Sequence, residues 1–430
     1  MAIREALRRP TVWHRMRGNG RVEREWVLVA IDVGTTKVCA LIGEVVRDGQ
    51  INILGHGTVP ASGLKKGMVV NIEQTVRSIG EAVERAERLS GFKIDRAYVN
   101  VSGSHVESLN SPGTVAVSGP NREVTRQDVA RALEVARAVP IPSSREILHI
   151  ERRGFTVDGH EGVKDPLGMI ALRLGVETHI VTASTTAVQN LSKCVQAAGV
   201  KIDELVASSL AAAEAVLNET ERELGVGVAD MGGGTIDLAL FSEGAHFHTA
   251  VVHVGGVNVT NDLAIGLKTS LPTAEELKIR YGTCDLRSVA ADEEISVAGL
   301  GEEAGRTVSR REMAEIIEAR MREAFELLRG EIAAAGPAML PAGLVLTGGA
   351  SQLAGVAELG RDVLGIPVRV AGPSPVGGLA DTLLTPAYAT SIGLLRWGAA
   401  RLGAEPAGFE VVGGGGWLSR LRELLRSLFP

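Results

Sequence analysis

Two short stretches place an acid and a tight turn between apolar runs, and both are suited to meeting an anion. In Val228–Phe241 (VADMGGGTIDLALF) an apolar pair leads into Asp230, then Gly232, Gly233 and Gly234, then a return run that starts at Thr235. Glycines carry no Cβ and tolerate φ > 0, so successive backbone N–H groups there can close around a phosphate. The acid ahead of the turn is placed to hold a metal through water rather than to touch the phosphate. A plain β-hairpin is the bland alternative, since Gly-Gly turns between strands are common. A second copy of the pattern favours the phosphate reading. Ile31–Val38 (IDVGTTKV) repeats the Asp-x-Gly spacing: Asp32 matches Asp230, Gly34 matches Gly232, and the hydroxyls of Thr35 and Thr36 match the Gly-Thr end of the later turn. A third turn, Leu344–Gly349 (LVLTGG), closes another apolar run and precedes Ser351, a suitable N-cap for the next helix. Two acidic hairpins and a late Gly-Gly turn describe a nucleotide held between two similar halves.

These loops need elements to position them. Trp26–Asp32, Lys37–Val46 and Ile51–Val59 read as strands, and Val70–Leu89 as a helix with Ile72, Val76, Ile79, Val83 and Leu89 at helical spacing. That is the start of a ribonuclease-H-like α/β half, over residues 26–91. Residues 92–174 read as a separate inserted module. It holds short strands (Arg96–Val101, Thr114–Val117), a helix Thr125–Ala138 opened by a Thr125/Asp128 capping box, and a strand Glu146–Glu151. Over 175–206 the first half resumes, with Thr178–Thr182 expected as a core strand and Thr185–Ala198 as a helix. The second half, 207–400, is expected to run from a helix Ala207–Leu217 through the glycine hairpin and a strand His246–Val254. Helical Thr273–Tyr281 and Arg310–Glu331 come next, then a strand Gly343–Thr347 and a helix Gln352–Leu364. Thr385 and Pro386 suit the N-cap and N1 of a last core helix, Ala387–Ala400, where Gly393 would let another backbone come close.

Composition narrows the function. A formal charge of −6 and 3% aromatic residues give no hint of nucleic-acid binding or base-stacking surfaces, so no nucleic-acid partner is expected. Three scattered cysteines (Cys39, Cys194, Cys284) without metal spacing suit a reducing cytoplasm. No apolar run reaches the length needed to span a bilayer. Residues 1–25 hold seven arginines and no long apolar core, so they are no secretory signal. They read as a disordered basic tail; weak contact with anionic lipid or a start codon placed too early would look the same.

The far end is different. Residues 401–416 read as a flexible linker that ends in four glycines, and 417–430 begin WLSRLRELLRSLF. Trp417, Leu418, Leu421, Leu424, Leu425, Leu428 and Phe429 share one helical face, and Arg420, Arg422 and Arg426 lie on the other. A helix this short spans nothing, but it matches an interfacial anchor for anionic lipid. Packing on its own domain or in a partner's groove is the alternative. The glycine tether, the arginines and the tryptophan at the edge favour lipid.

The motifs also resemble known families. IDVGTTKV, VADMGGGTIDLAL and LVLTGGASQLAG are similar to the two phosphate motifs and the adenosine motif of the actin-like ATPases, and Ser208–Leu217 and Tyr388–Trp397 to their two connecting helices. Glu146–His149 (EILH), Phe155–Asp158 (FTVD), Gly162–Met169 (GVKDPLGM) and Ala274–Gly282 (AEELKIRYG) resemble the FtsA family of bacterial cell-division proteins. The resemblance implies an actin-like α/β fold of two duplicated halves that lacks the usual subdomain IB and carries an inserted α+β subdomain elsewhere on the first half. It implies ATP with magnesium as ligand and self-assembly into filaments at the cytoplasmic face of the membrane, at the septum. It also implies binding of the FtsZ C-terminal peptide and recruitment of later division proteins.

Carried over by residue, phosphate contacts fall on Gly34, Thr35, Thr36, Lys37, Gly232, Gly233, Gly234 and Thr235, and magnesium falls between Asp32 and Asp230. The adenosine side falls on Gly348, Gly349, Glu275 and Lys278. Lys37 as an exposed strand residue, and Glu275 with Lys278 as a solvated i,i+3 pair, are the alternatives. One departure stands out. Many relatives open the first connecting helix with Glu or Gln before Pro, which helps orient the attacking water; this chain has Ser208-Ser209. Ser208 is a poor base and Glu214 lies nearly two turns on, so both are weak catalytic candidates and hydrolysis is expected to be slow or absent. A small-molecule kinase and a pilus-assembly adaptor are the rival functions on the same fold.

Overall fold

The computed structural model describes residues 12–16, 22–46, 49–297, 306–336 and 340–403. Its two halves are built on sheets of one design. Across the first sheet the strands run Lys201–Ala207, Arg96–Val101, Val22–Val33, Lys37–Val45, Ile51–Pro60, with Gly377–Gly378 paired outside the last. Across the second they run Val368–Val370, Leu344–Thr347, Val226–Met231, Ile236–Ser242, Ala245–Val252. In each, the first three strands in the chain are antiparallel and the next two run parallel to the first. This is the duplicated ribonuclease-H-like, actin-like α/β fold expected from the sequence.

Burial follows from the layering. Val38–Ile42 are buried on both faces of the sheet, so that strand reads as a continuous apolar run, whereas Ile51–Val59 alternates. Parallel neighbours need a helical crossover. Ile72–Ser90 supplies one, with the Asn71 side chain accepting from the Gln74 N–H at 3.0 Å as its N-cap. Between the halves lie Ser208–Val216 and Ala389–Gly403. They cross so closely that a Cβ on Gly393 would overlap the Ala211 carbonyl oxygen, which accounts for the glycine.

The inserted module is a sheet in the order His160–Val163, Arg145–Val157, Arg173–Ser184, Glu107–Ala116, covered by the helix Arg126–Arg137. Thr125 and Asp128 form the expected capping box. Its limits differ from the expected 92–174. Arg96–Val101 belongs to the first half's own sheet, and Thr178–Thr182 lies within a strand at the middle of the module's sheet and not in the first half's sheet, although Val181 packs into the first half's core. The strand Lys201–Ala207, masked by Lys201, Asp203 and Glu204, fills the core position instead. A strand's own residues do not say which sheet it joins, because that depends on partners distant in sequence.

Other differences are local. The extension expected as disordered contributes a strand, Val12–Met16, antiparallel to Val22–Val33. Ser351 is no N-cap: it lies in a 3₁₀ turn, donating to the Gly348 carbonyl at 2.8 Å, and the helix starts later, at Val356. Thr385 and Pro386 precede a 3₁₀ turn, Pro386–Tyr388, and the α-helix follows from Ala389. That helix runs to Gly403, into the expected linker. The rest of the linker and the amphipathic segment 417–430 lie outside the described residues. No described helix is long and apolar enough to cross a membrane.

Candidate functional site

The two acidic hairpins are closed in the same way. Gly34 N–H donates to the Lys37 carbonyl at 3.0 Å, and Gly232 N–H to the Thr235 carbonyl at 2.9 Å. The turns face each other across the gap between the halves. A Cβ on Gly233 would run into the Thr36 side chain, and one on Gly234 would lie 2.7 Å from Thr35 Oγ1. None of Gly232, Gly233 and Gly234 adopts a left-handed φ, so they are glycine for want of a Cβ and not for backbone freedom. The Gly232 and Gly233 carbonyls accept from the Gly256 and Val257 N–H groups at 2.9 and 2.8 Å, at the start of the helix Gly256–Gly266. Among the described residues, the amides of Thr35, Thr36, Gly233 and Gly234 donate to no protein acceptor. The third turn reaches the same place: Gly348 is left-handed (φ 83°), and a Cβ there would overlap Asp230 Oδ1.

A cleft of about 580 Å³ separates the halves. Asp32, Gly34, Thr35, Thr36, Lys37, Asp230, Gly232, Gly233, Gly234, Thr235, Glu275, Lys278, Gly348 and Gly349 all line it, as does Ser208. The acids of its two hairpins, Asp32 and Asp230, are held by consecutive residues of one helix. Thr390 donates to Asp230 Oδ2 at 2.5 Å and Ser391 to Asp32 Oδ2 at 2.6 Å, so the helix Ala389–Gly403 ties one carboxylate from each half. Burial pushes Asp230 up to about 6. Asp237, on the return strand, is pushed up to about 7 by burial and then by the charge of Asp230.

The basic groups are held as firmly. Lys37 is no exposed strand residue: its Nζ lies 3.3 Å from Asp32 Oδ2 and 4.8 Å from the centre of the Tyr388 ring. Burial opposes its charge most, but Asp32, Cys39 and Tyr388 together outweigh that and the ammonium pKa rises. Lys278 is half-buried too, donating to Glu275 at 2.6 Å, Thr260 Oγ1 at 2.9 Å and the Gly256 carbonyl at 3.1 Å. It is therefore not one of a solvated pair.

The catalytic candidates fare differently. Ser208 is at the cleft, but its hydroxyl donates to the Val101 carbonyl at 3.3 Å and accepts from Asn100 Nδ2 at 3.1 Å. Glu214 is not at the cleft: it pairs with Arg222 at 2.8 Å beside a separate pocket, two turns along the helix and facing away. Sequence reasoning missed Asn100, Ser102, Asp237 and Thr390, all of which line the cleft, and Ser391. Only Asp237 carried a signal, an acid inside an apolar run at the register position opposite Asp230. Among the described residues no three metal-ligating side chains cluster. Two carboxylates facing free amides fit a magnesium ion held largely by water and phosphate oxygens rather than by a protein cage.

Comparison with known proteins agrees with this fold. A family model described as Cell division protein FtsA matches residues 227–393, and one described as the SHS2 domain inserted in FTSA matches residues 103–182. The chain is 44% identical over 373 residues to Cell division protein FtsA of Pseudomonas aeruginosa, covering 86% of this chain and 89% of that one. It is 38% identical over 385 residues to Cell division protein FtsA of Bacillus subtilis, covering 89% and 86%. Two solved structures share the fold at low identity. The PilM-PilN type IV pilus biogenesis complex matches with TM-score 0.59 and 19% identity, over 87% of this chain and 98% of that one. MreB 5 of Spiroplasma citri bound to AMPPNP matches with TM-score 0.52 and 12% identity, over 87% and 96%. With its actin-like halves, its inserted SHS2 domain and relatives this similar over most of its length, the chain belongs to the FtsA family of cell-division proteins.

Proposed function

We propose that the chain binds ATP with magnesium between its halves and assembles into actin-like filaments on the cytoplasmic face of the membrane at the septum. There it would hold the FtsZ ring by the FtsZ C-terminal peptide and recruit later division proteins. The observation that carries the ligand is the pair of opposed turns with unpartnered amides, flanked by Asp32 and Asp230. The amides of Thr35, Thr36, Gly233 and Gly234 suit phosphate oxygens, and Lys37 and Thr235 add a cation and a hydroxyl. Asp32 and Asp230 would orient the waters of a magnesium ion, whose charge offsets that of the phosphates. Glu275, Lys278, Gly348 and Gly349 line the far side of the cleft, where a nucleoside would lie. Family membership takes the place of the kinase and pilus-adaptor readings.

For the membrane, support comes from the sequence of 417–430. Each half-buried large apolar residue contributes ~1 kcal/mol, and each arginine near anionic lipid ~1 kcal/mol. Helix formation and lost freedom offset part of this, so one anchor is weak and a filament of anchors holds by avidity.

The test is to image the full chain with Mg-ATP on an anionic lipid monolayer, beside a chain lacking Trp417–Pro430. Filaments are expected with the full chain, while the shortened one keeps its ATP affinity and stays off liposomes. Equal co-sedimentation of the two would refute the anchor; failure of the full chain to bind ATP would refute the cleft reading.

A further inference from the structure

One chain of cross-half contacts starts inside the cleft and ends on the inserted module. Ser102 follows the strand Arg96–Val101 and leads into the module's first strand, Glu107–Ala116. Its hydroxyl donates to Asp237 Oδ2 at 2.8 Å, in the other half. Thr235 donates to the same oxygen at 3.0 Å, and the two hydroxyl oxygens are 3.1 Å apart. Each hydroxyl has a single proton, and with both directed at Asp237 Oδ2 neither hydroxyl donates to the other.

The contacts continue along the next hairpin. Asp237 is in register with Val251 and Ala239 with Thr249, on the edge strand Ala245–Val252. Ser108 of the module donates to the Thr249 carbonyl at 2.9 Å and accepts the Thr249 N–H at 3.1 Å. Asn110 donates to the Phe247 carbonyl at 3.2 Å, and His179 Nε2 meets Thr249 Oγ1 at 3.2 Å. The module is thus fastened to the second half by a seam whose first stitch, Ser102 to Asp237, lines the proposed phosphate site.

We infer that nucleotide occupancy sets how tightly the inserted module docks on the second half, with Ser102 as the positioning residue. The inference rests on the nucleotide reading. When a phosphate oxygen draws the Thr235 proton away from Asp237, Ser102 becomes the only hydroxyl donor to that carboxylate oxygen. A carboxylate with one hydroxyl donor in place of two holds it more strongly, which shortens the first stitch and draws Glu107–Ala116 onto Ala245–Val252.

Hydrogen exchange of the full chain tests this, with and without a nonhydrolysable ATP analogue and Mg²⁺. In the unaltered chain the analogue is expected to slow exchange over 107–116 and 245–252 by about tenfold. Ser102→Ala should lose that response and Ser102→Thr should restore it, which loss of packing alone would not produce. Ser108→Ala, outside the cleft, should keep the affinity for the analogue yet lose the response over 107–116. An analogue that binds without changing exchange, or a Ser102→Ala chain that responds like the original, overturns the inference. A chain that binds no analogue overturns the nucleotide reading instead. The ligand-free comparison then still decides the seam, since Ser102→Ala should speed exchange in these two strands, and equal rates would refute it.

Discussion

Thr390 and Ser391 are neighbours in sequence, yet each holds the acid of a different half. Successive helix residues point about 100° apart, so a helix lying along the seam can offer one hydroxyl to each side. Catalytic power is a separate matter at this scale. Ser208 and Ser209 are buried at the start of the first connecting helix, and the Ser208 hydroxyl is committed to Val101 and Asn100. Asp237 also lines the cleft, but one of its oxygens already accepts two hydroxyls. With Ser208 committed and Glu214 outside the cleft, turnover is expected below about one per second, because positioning supplies much of phosphoryl-transfer catalysis. Phosphate release under saturating Mg-ATP measures it, and faster turnover would show that another group orients the water.

Among the elements, the crossing of Ser208–Val216 and Ala389–Gly403 is the tightest constraint. Gly393→Ala puts a methyl group into the Ala211 carbonyl, so the helices must separate, at a cost of about 2 kcal/mol of overpacking. Thermal denaturation should show a lowered midpoint, and an unchanged one would mean that the crossing is slack. This glycine was legible in the sequence because a glycine inside a helix needs a packing reason. The phosphate turns were legible for a similar reason: acid, turn and return strand lie within a few residues, so Asp32 and Asp230 could be matched by spacing alone. Ser102 and Asn100 were not, because their roles come from partners across the halves, Asp237 and Ser208. The module's limits failed on the same ground. Arg96–Val101 and Arg173–Ser184 look alike as strands, and only pairing assigns them to different sheets.

Across the whole molecule, neutral histidines fill the junction between the module, the second half and the connecting helices. His149 Nε2 accepts the Ala207 N–H at 3.0 Å, which requires that nitrogen to be unprotonated. Burial, then the charge of Arg401, lowers His149 to about 3. Burial, then His248 and Arg153, lowers His179 to about 3. His246, its ring centre 4.4 Å from that of His179, is lowered well below the ordinary value, chiefly by burial. Depressed values mean that stability is complete above the ordinary histidine value of about 6.5 and is lost as the pH falls toward about 3. Each histidine loses about 1.4 kcal/mol per pH unit in that window. Asp230 and Asp237, pushed up, shift stability the other way over the same window. The fall in urea midpoint from pH 7.5 to pH 5.5 should therefore be smaller in His149→Gln and His179→Gln chains than in the unaltered chain, and equal falls would contradict the neutral junction.

The strand pairing described above leaves few open backbone rims. Gly377–Gly378 pairs outside Ile51–Pro60, and Ser108 and Asn110 occupy the groups of Phe247 and Thr249 that a sixth strand would need. Of the remaining borders, Val368–Val370 is three residues long, and Lys201–Ala207 carries Lys201, Asp203 and Glu204. Short, charged or covered borders discourage another molecule from zipping on through its main chain. Along the borders of these two sheets a second copy would meet side chains more than open main chain, and an association of that kind can be selective and can be undone.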